Sequence, residues 1–139
     1  MSKSNEEIEQ FVELIKNWQK IEDASILNST DIIKNSDNPL IHLVMEIIRQ
    51  DSVMHRRVQQ LIIDNYNRKP LTLNSEEVKG IWDMVENHNQ IEKKTIAMAE
   101  ESLINIESPI VVYMLNYLLT DEKKHDMLLE ELEKIKNSQ

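Results

Sequence analysis

Residues 108–132 read SPIVVYMLNYLLTDEKKHDMLLEEL. Ser108 is a good helix N-cap, and Pro109 suits the first helical position, where its missing N–H costs nothing. Apolar residues then fall at Val111, Leu115, Leu118, Leu128, Leu129 and Leu132. Those steps of three and four trace one face of a helix. The middle of the face is occupied instead by Glu122 and His125. The stretch therefore predicts a long amphipathic helix over 109–136 that turns ionisable groups inward near its midpoint.

The same signals recur upstream. Asn38-Pro39 repeats the cap-and-proline start, Ser4 with Glu7 forms a capping-box pattern, and Asn74 or Ser75 precedes Glu76 and Glu77, acids being favourable at a helix N-terminus. Helices are expected at 5–35, 39–65, 75–106 and 109–136, with a linker between Asn65 and Asn74 that holds Pro70. Sliding the sequence by 70 positions superposes Glu6-Glu7 on Glu76-Glu77, Asn17 on Asn87 and Ile21-Glu22 on Ile91-Glu92. It also superposes Ile26 on Ile96, Asn35 on Asn105, Pro39 on Pro109, Asp51 on Asp121 and His55 on His125. Two copies of a helical hairpin account for this, and residues 1–139 read as one all-α domain, a four-helix bundle.

Composition narrows the function. The chain has 139 residues, one glycine, no cysteine and a net charge of −9. One glycine disfavours phosphate-cradling loops, Rossmann folds and β-sandwiches. Without cysteine there are no disulfides, zinc knuckles, iron–sulfur clusters or thiol chemistry. The negative balance argues against nucleic acid and anionic membrane surfaces. No signal-like N-terminus and no run of 18 apolar residues are visible, so a cytoplasmic location is expected.

The other helices repeat the inward charges. Helix two runs Leu40, Val44, Ile47, Ile48, Met54, Val58, Leu61 and Ile62 around Asp51 and His55. Helix one runs Ile8, Phe11, Ile15, Trp18, Ile26 and Ile33 around Glu22. Helix three runs Val78, Ile81, Val85, Ile96, Ala99 and Leu103 around His88 and Glu92. Glu22 lies 17 residues before Pro39 and His55 lies 16 after it; Glu92 and His125 repeat both offsets about Pro109. At about 1.5 Å per residue, each pair meets at one level of its hairpin. Buried charges cost several kcal/mol each unless paired or bound to metal. Three carboxylates and two imidazoles in such layers therefore imply either a proton-sharing network that holds the helices in register, or divalent metal.

Here the chain resembles the ferritin-like di-iron carboxylate superfamily, especially the rubrerythrin-type bundle, with a Glu on each of two helices and Glu-x-x-His on the other two. Glu22 and Glu92 match the single glutamates, and Glu122-Lys123-Lys124-His125 matches one Glu-x-x-His. The other reads Ser52-Val53-Met54-His55, with serine where the motif has glutamate. The resemblance implies a metal site of Glu22, His55, Glu92, Glu122 and His125, with Glu122 bridging and the histidines as terminal nitrogen ligands. Asp51 is either a shorter-reaching ligand or an outer partner, and His88 an extra ligand or a hydrogen-bond partner. Iron at two positions, or at one given Ser52, is the implied cofactor, with manganese or zinc as alternative occupants. The implied chemistry is oxidase- or peroxidase-like, or iron handling, with oxygen or peroxide as reactant and an external reductant.

The competing reading is a metal-free helical scaffold or interaction module. With or without metal, the methionines read as core filler, Trp18 and Trp82 as core or interface anchors, and His42 as a surface or interhelical residue. Ten extended linker residues reach about 35 Å, against about 42 Å for a helix of roughly 28 residues. A crossover is thus tight, and early fraying of helix two near Ile63, a hairpin-swapped homodimer and an up-down order are the alternatives.

Overall fold

Ser4 opens the first helix by accepting the Glu7 backbone N–H on its Oγ at 3.2 Å, and this helix, α1, runs Asn5–Lys34. It ends where the side-chain amide of Asn35 donates back to the carbonyl of Asp31. Asn38 starts α2 (Pro39–Asn67) with its Oδ1 accepting from the N–H groups of Leu40 and Ile41 at 2.9 and 3.2 Å. A short α3 (Ser75–Val78) is capped by Asn74, α4 spans Trp82–Ser102, and α5 spans Pro109–Ser138. This computed structural model describes residues 4–138, all of its regular structure is helical, and there is no strand among the described residues. None of its helices is long and apolar enough to cross a membrane.

The chain divides into two compact units, Met1–Leu71 and Thr72–Gln139. In the first, α1 packs along α2; in the second, α4 packs along α5. These are the two hairpins expected from the sequence, called here hairpin one and hairpin two.

The buried and half-buried positions of α1 include the series Ile8, Val12, Ile15, Gln19, Glu22, Ile26, Ser29 and Ile33. Steps alternating four and three form the seven-residue repeat of a helix laid along a partner. In hairpin two the buried and half-buried positions include Val78, Trp82, Val85, Asn89, Glu92, Ile96, Ala99 and Leu103. Every one lies 70 residues after its counterpart. The partners correspond in the same way, Met45, Ser52, Gln59 and Ile63 on α2 with Leu115, Glu122, Leu129 and Glu133 on α5. The duplication is therefore one of packing register as well as sequence.

Hairpin one keeps its apolar core at the open end, where Val12, Ile15 and Ile63 are buried with Ile8, Phe11 and Ile62 around them. Phe11 meets Tyr66 edge-on at 5.5 Å between ring centroids. Toward the turn the seam becomes polar. Gln19 Nε2 donates to Gln60 Oε1 and to the carbonyl of Arg56, and Arg56 pairs with Asp23 at 2.8 Å across the helices. Hairpin two seats Trp82 in the position of Val12, buried, with the Lys136 ammonium 4.0 Å from its ring centroid.

Several expectations need correction. The helix expected over 75–106 is broken at Lys79–Ile81, around the only glycine, and ends at Ser102; glycine contributes about 1 kcal/mol less helical stability than alanine. Asn105 then takes a left-handed φ of 65°, a conformation asparagine tolerates just beyond a helix. Helix α2 does not fray at Ile63, which is buried, and continues to Asn67. The methionines at 54, 84, 98 and 127 are at least half exposed within their hairpins rather than core filler there, and Trp18, 51% exposed, keeps only the interface half of the role expected of it. The reason is common to all: these helices carry two adjacent apolar faces, and the one that meets the hairpin partner is the more polar. His42 is half-buried and reaches back over the turn to the carbonyl of Ser36.

Candidate metal centre

One turn of α4 and one turn of α5 meet at the centre of hairpin two. Glu92 is buried, Glu122 and His125 are half-buried, and one ligand atom from each lies within 4.8 Å of the others. His125 Nδ1 stands 3.3 Å from Glu92 Oε2 and 3.8 Å from Glu122 Oε2. The spacing of Glu122 and His125, three residues apart, puts both on the same face of α5, and the equal distances from the turn bring Glu92 level with them.

Each of these three side chains has an outer partner. His88, one turn before Glu92, meets Glu92 Oε1 with its Nε2 at 2.8 Å. Thr95 donates its hydroxyl to Glu122 Oε2 at 2.9 Å. His125 Nε2 lies 3.2 Å from Asp121 Oδ2. An Nε2–H donating to Asp121 leaves the lone pair of a neutral imidazole on Nδ1, the nitrogen that faces the two glutamates. Such partners orient metal-binding side chains and raise the basicity of histidine.

The two carboxyl groups are pushed in opposite directions by one another. Hydrogen bonding with Glu122 holds the Glu92 carboxyl below its usual value of 4.5, with His88 and His125 assisting and burial opposing. The same hydrogen bond, helped by burial and by the Glu92 charge and opposed by Thr95, pushes Glu122 above it. Stability contributed by Glu92 is full above the usual value and lost as pH falls through the lowered one. That contributed by Glu122 is full below the usual value and lost as pH rises through the raised one. In chelator-treated protein, Glu122→Gln keeps the neutral shape at every pH. Its melting temperature relative to the parent is therefore expected to climb as pH rises above the usual carboxyl value of 4.5, as thermal melts at a series of pH values would show; a flat difference would mean that Glu122 is not held in its neutral form.

Two carboxylates and one imidazole match the preferences of iron, manganese, zinc or cobalt, and the imidazole makes magnesium or calcium a poorer fit. Three protein donors leave further coordination positions open, as in catalytic rather than structural metal sites.

Hairpin one presents the corresponding layer in reduced form. His55 Nδ1 is 3.4 Å from Glu22 Oε2, close to the Glu92–His125 distance. That oxygen is buried and has no hydrogen-bond partner. Ser52 is buried, and its hydroxyl lies 2.8 Å from that of Ser25, just as the Thr95 hydroxyl meets Glu122. Asp51 is exposed and, among the described residues, has neither a hydrogen bond nor an ion pair to His55, unlike Asp121 beside His125. The structure thus joins Glu22 with His55, and Glu92 with Glu122 and His125, and gives Asp51 no place in the layer.

Sequence reasoning passed over Ser25 and Thr95. The signal was present: both carry a hydroxyl, they stand 70 residues apart, and each sits one turn beyond its glutamate. His88 is bonded to Glu92 but largely exposed, so it is not the interior histidine that its stripe position suggested. Comparison of the chain with protein families, with curated proteins and with solved structures returns no match.

Proposed function

We propose that the protein binds divalent metal through Glu92, Glu122 and His125, in a ferritin-like four-helix arrangement of its two hairpins, with iron as the first candidate and manganese or zinc as alternatives. The observation that carries this reading is the donor set itself: three ligand atoms within 4.8 Å, each belonging to a side chain that a second residue holds in place.

The bundle is supported by what each hairpin leaves uncovered. Hairpin one exposes Leu14, Trp18, Ile21, Ile48 and Val58, and hairpin two exposes Met84, Ile91, Leu118 and Leu128. Four of these pairs stand 70 residues apart, and His88 takes the place of Trp18. Apolar faces of this extent mark contact surfaces. Bound iron would supply one-electron chemistry toward oxygen or peroxide, and a chain without cysteine draws its electrons from an external reductant.

A second reading, a metal-free interaction module, is favoured by the Ser25–Ser52 pair, which satisfies part of one layer with no ion. Anaerobic loading with ferrous iron, and separately with manganese and zinc, followed by elemental analysis of the desalted chain, distinguishes the two. Stoichiometric uptake that is lost in Glu92→Gln/His125→Ala supports the metal reading. Uptake no greater than background with all three metals would overturn it in favour of the module.

A further inference from the structure

We infer that residue 52 sets the number of metal ions the chain holds: hairpin one is a second copy of the metal-binding hairpin, limited by the serine at this one position. The inference rests on the metal reading of hairpin two. The two layers agree in glutamate-to-histidine distance, 3.4 Å for Glu22–His55 and 3.3 Å for Glu92–His125. They agree in the hydroxyl that meets position 52 or 122, at 2.8 Å from Ser25 and 2.9 Å from Thr95. They also agree in the buried register of the helices that carry them.

What differs is the group at that position. Glu122 carries its carboxylate two carbons beyond the point where Ser52 carries a neutral hydroxyl, so its Oε2 comes to 3.8 Å from His125 Nδ1 while accepting from the Thr95 hydroxyl. The Ser52 hydroxyl is committed to Ser25 and brings no charge. Glu22 and His55 are left as two donors, fewer than the three of an open protein site, and the His55 side chain is 59% exposed to competing water. The buried Oε2 of Glu22, which accepts no hydrogen bond and faces His55 Nδ1 at 3.4 Å, marks where a cation would be held once the missing carboxylate is supplied.

Zinc titration calorimetry with elemental analysis, on the full chain, tests this. The parent should take up about one ion per chain, Ser52→Glu about two, and Glu122→Ser, which gives hairpin two the donor set of hairpin one, close to none. Circular dichroism melts check that each variant folds. If Ser52→Glu is crowded in its buried position, Ser25→Thr/Ser52→Glu reproduces the complete hydroxyl–carboxylate pair of hairpin two. One ion in both folded gain variants, two in the parent, or one retained in Glu122→Ser would each overturn the assignment while leaving metal binding intact. No ion in the parent would overturn both, and should none of the gain variants fold, the Glu122→Ser result alone decides.

Discussion

His125→Ala is expected to weaken divalent-metal binding by at least about 100-fold, read by competition with a chromophoric chelator. Loss of an outer partner of a metal ligand typically costs 10–100-fold, and in the proposed site His125 would be a ligand itself. Among the described residues it is the only imidazole grouped with both Glu92 and Glu122, and its removal leaves two carboxyl groups opposed with no nitrogen donor between them. His88→Ala and Asp121→Asn remove only the partners that orient Glu92 and His125, so their losses should be about tenfold. The ordering is the informative part. If His125→Ala binds as tightly as the parent, the ion is held elsewhere; if His88→Ala is as damaging as His125→Ala, His88 touches the ion directly.

The largest loss of stability is expected from Ile15→Ala. Ile15 is 4% exposed, between Val12 and Ile63 in the apolar end of hairpin one, and truncating a buried isoleucine costs about 2–5 kcal/mol in transfer and cavity terms. Taking about 3 kcal/mol, the melting temperature should fall by about 10 °C for a chain of this size. Chemical denaturation with an unchanged slope would confirm that stability alone has moved. Trp18→Ala is the companion measurement, because Trp18 is 51% exposed within its hairpin. A small loss means that this face stays in water, whereas a loss comparable to that of Ile15→Ala means that another surface covers it, as the proposed bundle would require.

Much of this is legible in the sequence alone. Ser4, Asn38-Pro39 and Pro109 mark their helix starts because cap chemistry is local and acts over three or four residues. The pairing of Glu22 with His55, and of Glu92 with His125, follows from equal counts on either side of a turn. Hydropathy did not reveal which of two adjacent faces meets the hairpin partner. Gln19, Ser52 and Gln59 are buried in the seam, while Trp18, Met54 and Val58, more apolar, lie outside it. A polar seam is recognisable only when the partner that satisfies each group is known, as Gln60 is for Gln19 and Ser25 for Ser52. The break at 79–81 escaped notice for a related reason: one glycine is a weak stop, and Val78 and Trp82 keep the helical spacing across it.

The equal counts also govern what insertions and deletions the two hairpins can absorb. Adding one residue to α1 between Glu22 and the turn would rotate everything beyond it by about 100° and take Glu22 off the seam. A seven-residue insertion would preserve the rotation but raise the glutamate by about 10 Å, out of reach of His55. Only a matching insertion in α2 would restore the pair. Length change in this protein is therefore confined to the helix ends and the segment between hairpins, and the span from each layer to its turn is a ruler that both helices of the hairpin must read alike.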